Sequence, residues 1–387
     1  QNTILGGDDS VTSSNMVGKI DQIRIYDSAI SAENVTTLYN EIECPAVAVT
    51  NAFNTVLYTG NGYPNSGTQS ITGVGFQPDL TWIKARNATA WHILVDSTRG
   101  VDKYLFSNAT NGDFTQNGTG FLSFDSDGFS LGADTNGDGV NRTNDGPYVA
   151  WNFKAGGAAV ANTEGTINSQ VSVNNSLGFS IVGWTTTAAG SWNVGHGLDT
   201  APEMIISKMT SFSNAWEVYH KDVGTGKYLL LSATAAAGTD SGAFSSVTDT
   251  TWTSHTTNTT GNYIAYCFAS KPGFSKVGSY TGNGSTIGPM VQTGFEPAFL
   301  LVKGTDNSSS WLIYDNKRTP SNPRNNVLLA NTDSADIITS NVNVDFFANG
   351  FQIKATNADL NSNSLNYIYL AFAADGSTAT PSLANSF

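Results

Sequence analysis

A single block occurs three times along this chain. The first copy runs Gly75-Phe76-Gln77-Pro78-Asp79-Leu80-Thr81-Trp82-Ile83-Lys84, followed by Trp91-His92-Ile93-Leu94. The second holds Pro202-Glu203-Met204-Ile205-Ile206-Ser207-Lys208 and Trp216-Glu217-Val218-Tyr219. The third is Gly294-Phe295-Glu296-Pro297-Ala298-Phe299-Leu300-Leu301-Val302-Lys303 and Trp311-Leu312-Ile313-Tyr314. Proline to lysine is six residues in every copy, and lysine to tryptophan is seven, eight and eight. Fixed spacing with drifting residues points to one fold unit used three times. Proline cannot donate a ladder hydrogen bond, so it marks the start or edge of a strand. The recurrent Trp91, Trp216 and Trp311 are expected in the core, and Lys84, Lys208 and Lys303 in a structural ion pair or carbonyl contact.

Charged residues make up only 13% of the 387, and there are 42 aromatics among Trp, Tyr and Phe. Glu is scarce and no long apolar stripe of period 3.6 occurs, so the chain reads as β-rich and able to bury real cores. The net charge of −13 argues against a basic surface for nucleic acid or anionic membrane, and suits a soluble exterior protein. No run of eighteen apolar residues exists, so membrane insertion is not expected. Two cysteines, Cys44 and Cys267, exclude a disulfide scaffold, and a bridge between them is not favoured. No signal peptide is present, and the sequence opens at Gln1 rather than Met, so upstream residues are expected.

Residues 1–44 read as the end of a domain: the alternating Gly18 to Tyr26 as a strand, then a short helix capped by Ser31. Repeat 1 spans 46–157, a polar linker or exposed ribbon 158–175, repeat 2 176–274, repeat 3 275–376 and a tail 377–387. Short strands at regular spacing predict an all-β chain of three tandem antiparallel sandwiches, jelly-roll-like in type. Closing strands contain Tyr148, Tyr263 and Tyr369. Cys267 stands where the other repeats have Asn152 and Ala373.

Two resemblances follow from these residues. The pattern from Gly18 to Tyr39, G-x-I-D-x-I-R-I-Y through the short helix, resembles the closing strand and helix of a laminin-G-like, concanavalin-A-like lectin domain. No binding residue is carried over from that family, because its front half is not in this sequence. Tyr58-Thr59-Gly60-Asn61-Gly62, repeated at Tyr280 to Gly284, joins the proline block, Ser126-Asp127-Gly128-Phe129 and Tyr148-Val149-Ala150-Trp151-Asn152-Phe153-Lys154-Ala155-Gly156-Gly157. Together these resemble a sandwich domain of unknown function from tail, fibre and other structural proteins of marine phages. Repeat 2 departs most, with Trp184-Thr185-Thr186 in place of the tyrosine and Asn-Gly turn. The resemblance implies a virion structural role and brings no catalytic residue.

The sharpest local motif is Asp134 to Asp145, spaced like a twelve-residue calcium loop. Asp134, Asn136 and Asp138 would supply side-chain oxygens, Val140 a carbonyl and Asp145 the last carboxylate. It departs in ending on Asp, in carrying Asn141 at an apolar position, and in lacking a following helix. Ca2+ is therefore the one cofactor to expect, against the alternative of a solvated Asn/Asp/Gly turn. His92, His196, His220 and His255 form no metal spacing. Asp125 and Asp127 imitate a glycosidase pair but flank a turn, so a loop role is expected. Tyr63, Phe114, Trp192 and Trp252 lie in turn-rich segments. They read either as rings exposed to stack on sugars or as rings buried at contacts.

These features make the chain a non-enzymatic virion or extracellular protein: a phage fibre, tail-associated or capsid-decorating component. Its expected partners are other copies of itself, other virion proteins and host-surface glycans. A carbohydrate-binding adhesin is the alternative, and a glycan depolymerase the second.

Overall fold

The computed structural model describes residues 52–135, 139–256 and 260–373. The lectin-like segment 1–44, Cys44 and the tail 377–387 lie outside them. Among the described residues the structure is all-β, with one short helix, Ala358–Asn361.

Each repeat is a sandwich of one large and one small antiparallel sheet. In the first, the large sheet runs in the order Phe53–Thr59, Pro147–Phe153, Leu80–Ala85, Ile93–Asp96, Lys103–Phe106, Phe114–Thr115. Its cover is Gln69–Ile71, Gly128–Leu131 and Phe121–Asp125. The third repeats this order from Ser275–Thr281 to Ile337–Ile338. The second adds two strands at the opening edge, Val160–Asn162 and Ser169–Asn174. Of the two readings of 158–175, linker or exposed ribbon, these edge strands fit the ribbon. Its ladder pairs Val171 with Val182, and Ser169, Val171 and Ser172 are buried.

Register fixes the equivalences that the sequence only approximates. Lys84 faces Val149, Lys208 faces Ile264 and Lys303 faces Ile368. The aromatic opening each sandwich lies opposite a tyrosine of the closing strand: Tyr58 and Tyr148, Trp184 and Tyr263, Tyr280 and Tyr367. These pairs stack at 5.0, 5.1 and 5.1 Å. The third closing tyrosine is therefore Tyr367, not Tyr369, and Ala371 rather than Ala373 takes the place of Cys267.

Strand Leu80–Ala85 is buried at all six positions, as is Met204–Met209. A strand covered on one face would alternate; burial at every residue means both faces are covered. One face packs on the sandwich's own small sheet, joining Ile83, Ile93, Phe121 and Phe129. The other joins a core shared by all three repeats, containing Trp82, Trp151, Ile206, Trp216, Leu301 and Trp311. At its centre stand the equivalent residues Phe153, Phe268 and Phe372. Their ring centroids are 6.4, 6.0 and 5.4 Å apart pairwise. The three sandwiches are thus arranged around a near-threefold axis, not strung out as a linear spacer.

The joints between neighbours repeat almost atom for atom. The amide of Asn214 in the second sandwich donates to the Thr110 carbonyl of the first, and Asp113 donates back to Thr210. Ser309 and Ala237 do the same between third and second, and Ala90 and Asp336 between first and third. The last joint closes the ring. Trp216 Nε1 donates to the Phe106 carbonyl at 2.8 Å and Trp311 Nε1 to Leu230 at 2.9 Å. At the third joint the equivalent residue is His92, whose ring stands against the Leu329 carbonyl without a well-formed bond at Nε2. Trp91 is not in the core as expected. The link from the lysine is eight residues in all three repeats, but the first carries its tryptophan one position early, so His92 takes the buried place and Trp91 stands 43% exposed, edge-on to Phe106 at 4.1 Å.

Candidate functional site

The three recurrent lysines are structural. Lys84, Lys208 and Lys303 are at most 1% exposed, and each Nζ donates to the carbonyl of the next residue: Ala85, Met209 and Gly304. Lys303 also reaches Thr234 of the second sandwich and Ser309. Burial lowers all three to about 8. This is the expected carbonyl contact.

The described part of the calcium-like loop is tied by its own hydrogen bonds; Asn136 and Asp138 lie outside the described residues. Asp134 is buried at φ 52°. Its Oδ2 accepts from the amides of Gly139, Val140 and Asn141 at 3.0–3.1 Å. The Val140 carbonyl accepts from the Tyr58 hydroxyl at 2.7 Å, and Asp145 lies 3.6 Å from Arg142. Two of the three described ligand positions are thus committed to protein donors. The described residues fit a self-tied turn better than an open oxygen cage.

Asp127 accepts from the amides of Gly73 and Gly75, which hold its carboxyl below the usual range. Asp125 accepts from Ser123 and Ser130. Both carry the loop role expected of them. Of the four singled-out aromatics, Tyr63 and Phe114 are exposed. Tyr63 lies under the Arg142 guanidinium at 5.6 Å, and Phe114 lies 6.0 Å from Phe106. Trp192 and Trp252 are buried in the second sandwich. They are not exposed sugar platforms, because Trp184 and Tyr263 pack around them. Cys267 is buried, its thiol pushed up to about 12 by burial.

The second sandwich holds a cavity of about 290 Å³. Its walls include Trp192, Tyr228, Phe244 and Tyr263, with Ser207, Glu217, Asp240 and His255. Ser207 occupies the place of Ile83 and Val302, and Glu217 that of Ile93 and Leu312, by register. Those four apolar residues fill the equivalent cores of the other sandwiches. Replacing two of them by a serine and a carboxylate removes apolar volume and opens the space. Phe244 is held at φ 44° beside it.

The cavity has a defined polarity. The half-buried Glu217 side chain makes no hydrogen bond or ion pair among the described residues. Burial raises its pKa; the nearby Asp240 raises it further and His255 opposes this. His255 Nε2 lies 3.5 Å from Asp240, and its Nδ1 has no partner. Trp192 is 7% exposed, and its Nε1 also lacks a partner. Among the described residues no lysine or arginine lines the cavity. The signal available in the sequence was positional: a polar residue twice replaces an apolar one inside a repeated frame. The one-residue slip at Trp91 hides that alignment.

Domain of unknown function (DUF7483) matches residues 48–375 of the chain. No curated protein and no solved structure matches it.

Proposed function

The chain belongs to the DUF7483 family, and we propose that it is a non-enzymatic structural protein of a phage virion, acting in assembly and host-surface attachment. The observation that carries this reading is the closed ring. Three sandwiches share one core and three joints matched in their backbone hydrogen bonds, which gives a rigid scaffold that can carry outer loops and cavities. The motif resemblance and the net charge of −13 agree with a place on an exterior surface. Fibre, tail-associated and capsid-decorating positions all suit it, with other copies or other virion proteins as partners. Gold-conjugated antibody against the chain should label intact particles in electron micrographs. Label found only on free protein in the lysate would sink the proposal.

The second reading is a carbohydrate-binding adhesin, favoured by the cavity of the second sandwich. Aromatic walls with a few convergent polar groups are what small-ligand sites require. A glycan array tests it, and an array blank at micromolar protein removes it. Glu217 and Asp240 are also the carboxylates a depolymerase would use there. Release of reducing ends that disappears in Glu217→Gln would move the chain into that class. Calcium at the Asp134–Asp145 loop is a separate proposal supported by spacing alone. It predicts a Ca2+-dependent rise in Tm that Asp138→Ala erases.

A further inference from the structure

The cavity of the second sandwich carries an inference about what enters it. Among the described residues its fixed charges are acidic: Glu217 and Asp240 line it, and His255 alone can offset them. Glu217 is half-buried, and a cation supplied by a ligand offsets the cost of partly desolvating its carboxylate. A bare ammonium would satisfy only half of the site. Trp192 is more than nine-tenths buried, and its indole N–H has no acceptor. An acceptor oxygen must therefore come from the ligand or from water. The rings of Trp192, Tyr228, Phe244 and Tyr263 offer apolar faces to C–H groups and can face a cation. At about 290 Å³ the space lies at the small end of ligand sites and suits one ring.

We infer that this cavity binds a single amino-sugar unit, its ammonium on Glu217 and a ring oxygen or hydroxyl on the Trp192 indole N–H. The first and third sandwiches cannot do this, since Ile93 and Leu312 fill the position of Glu217. The inference deepens the carbohydrate reading and does not depend on the virion assignment.

The test titrates glucosamine, N-acetylglucosamine and glucose into the 15N-labelled full chain. The readout is the Trp192 indole N–H resonance, assigned by its loss in Trp192→Phe. Glucosamine should shift it saturably, with the other two about tenfold weaker or worse. Glu217→Gln, near-isosteric and on a cavity wall, should abolish the preference while leaving the other indole resonances in place. Glucose binding as tightly as glucosamine would overturn the ammonium assignment and leave the carbohydrate reading standing. No shift with any of the three sugars would overturn both. Unchanged preference in Glu217→Gln would overturn the role of Glu217.

Discussion

Two joints of the ring solve the same packing problem with opposite chemistry. Between third and first sandwiches, Asp315 and Arg318 are both fully buried and paired. Arg318 also binds Asp336 at 2.7 Å, which reaches Arg86 across the joint. Trp151 Nε1 donates to Asp315 at 3.1 Å. The joint between first and second uses the same set: Asp96, Arg99, Asp113 and the Tyr266 hydroxyl. Between second and third, the equivalent places hold His220, Val223, Ala237 and Leu370. There Val223 and Ala237 pack against the shared core. Acid, base, second acid and aromatic donor have all been exchanged together. A buried polar network is sound when complete and costly when partial, so the set behaves as one unit.

That comparison is broken most sharply by removing one member. Arg318→Met leaves the fully buried Asp315 without its cation and Asp336 with Arg86 alone. It should cost about 3–5 kcal/mol, the usual penalty for an uncompensated buried charge. Arg99→Met should cost less, because Asp113 is more exposed than Asp336. Chemical denaturation of both variants gives the values. A loss under about 1 kcal/mol for Arg318→Met would refute the claim that the network is a unit. The complementary variant imports the apolar solution: Asp315→His, Arg318→Val, Asp336→Ala and Trp151→Leu together. If the four residues act as one set, this quadruple variant should be more stable than Arg318→Met alone.

Much of the fold was legible in the sequence, and the part that was not has a physical cause. The proline-to-lysine spacing gave three equal units, and strand spacing gave sandwiches. The ring was written in Phe299-Leu300-Leu301-Val302, an unbroken apolar run where a one-face strand would alternate. Read as one strand in one sandwich, that run explains only half of its buried surface. Linker and exposed ribbon stayed open for 158–175 because Ser169 to Asn174 alternates small polar residues with Val171 and Val173, too weak a pattern to distinguish from coil. The pocket was hidden because Glu217 looks like a surface residue until register puts it opposite Leu230 inside a sandwich.

Acid should separate the joints next. Burial pushes His220 down to about 4, and its Nδ1 accepts from the Asp222 amide at 3.1 Å, so the ring is held neutral. The unfolded chain takes up that proton first, near the ordinary value of about 6.5. His220 therefore contributes stability above that pH, and the contribution is lost as pH falls from about 6.5 to about 4. The full effect is of order 3 kcal/mol. His92 and His196 are also lowered by burial, so the acid limb is a sum. His220→Leu should flatten only its share. An unchanged slope of stability against pH would show that the apolar joint owes nothing to this ring.

The smallest effect expected is at a lysine common to every sandwich. Lys208 is lowered to about 8, chiefly by burial, while the unfolded chain holds its proton to about 10.4. Between those values the unfolded state binds more protons, so stability should rise with pH from about 8 towards 10. Above that, buried tyrosines such as Tyr58 and Tyr280, raised well past their ordinary value, turn the slope downward. Lys208→Met keeps the stem and removes the charge, so at neutral pH it should change stability by only about 1 kcal/mol in either direction. What it should remove is part of the rise between pH 8 and 10. A large loss at pH 7 would mean that the bond from Nζ to the Met209 carbonyl outweighs the cost of burying the charge. The lysine would then be a positive tie within each sandwich, in contrast to the interchangeable chemistry of the joints.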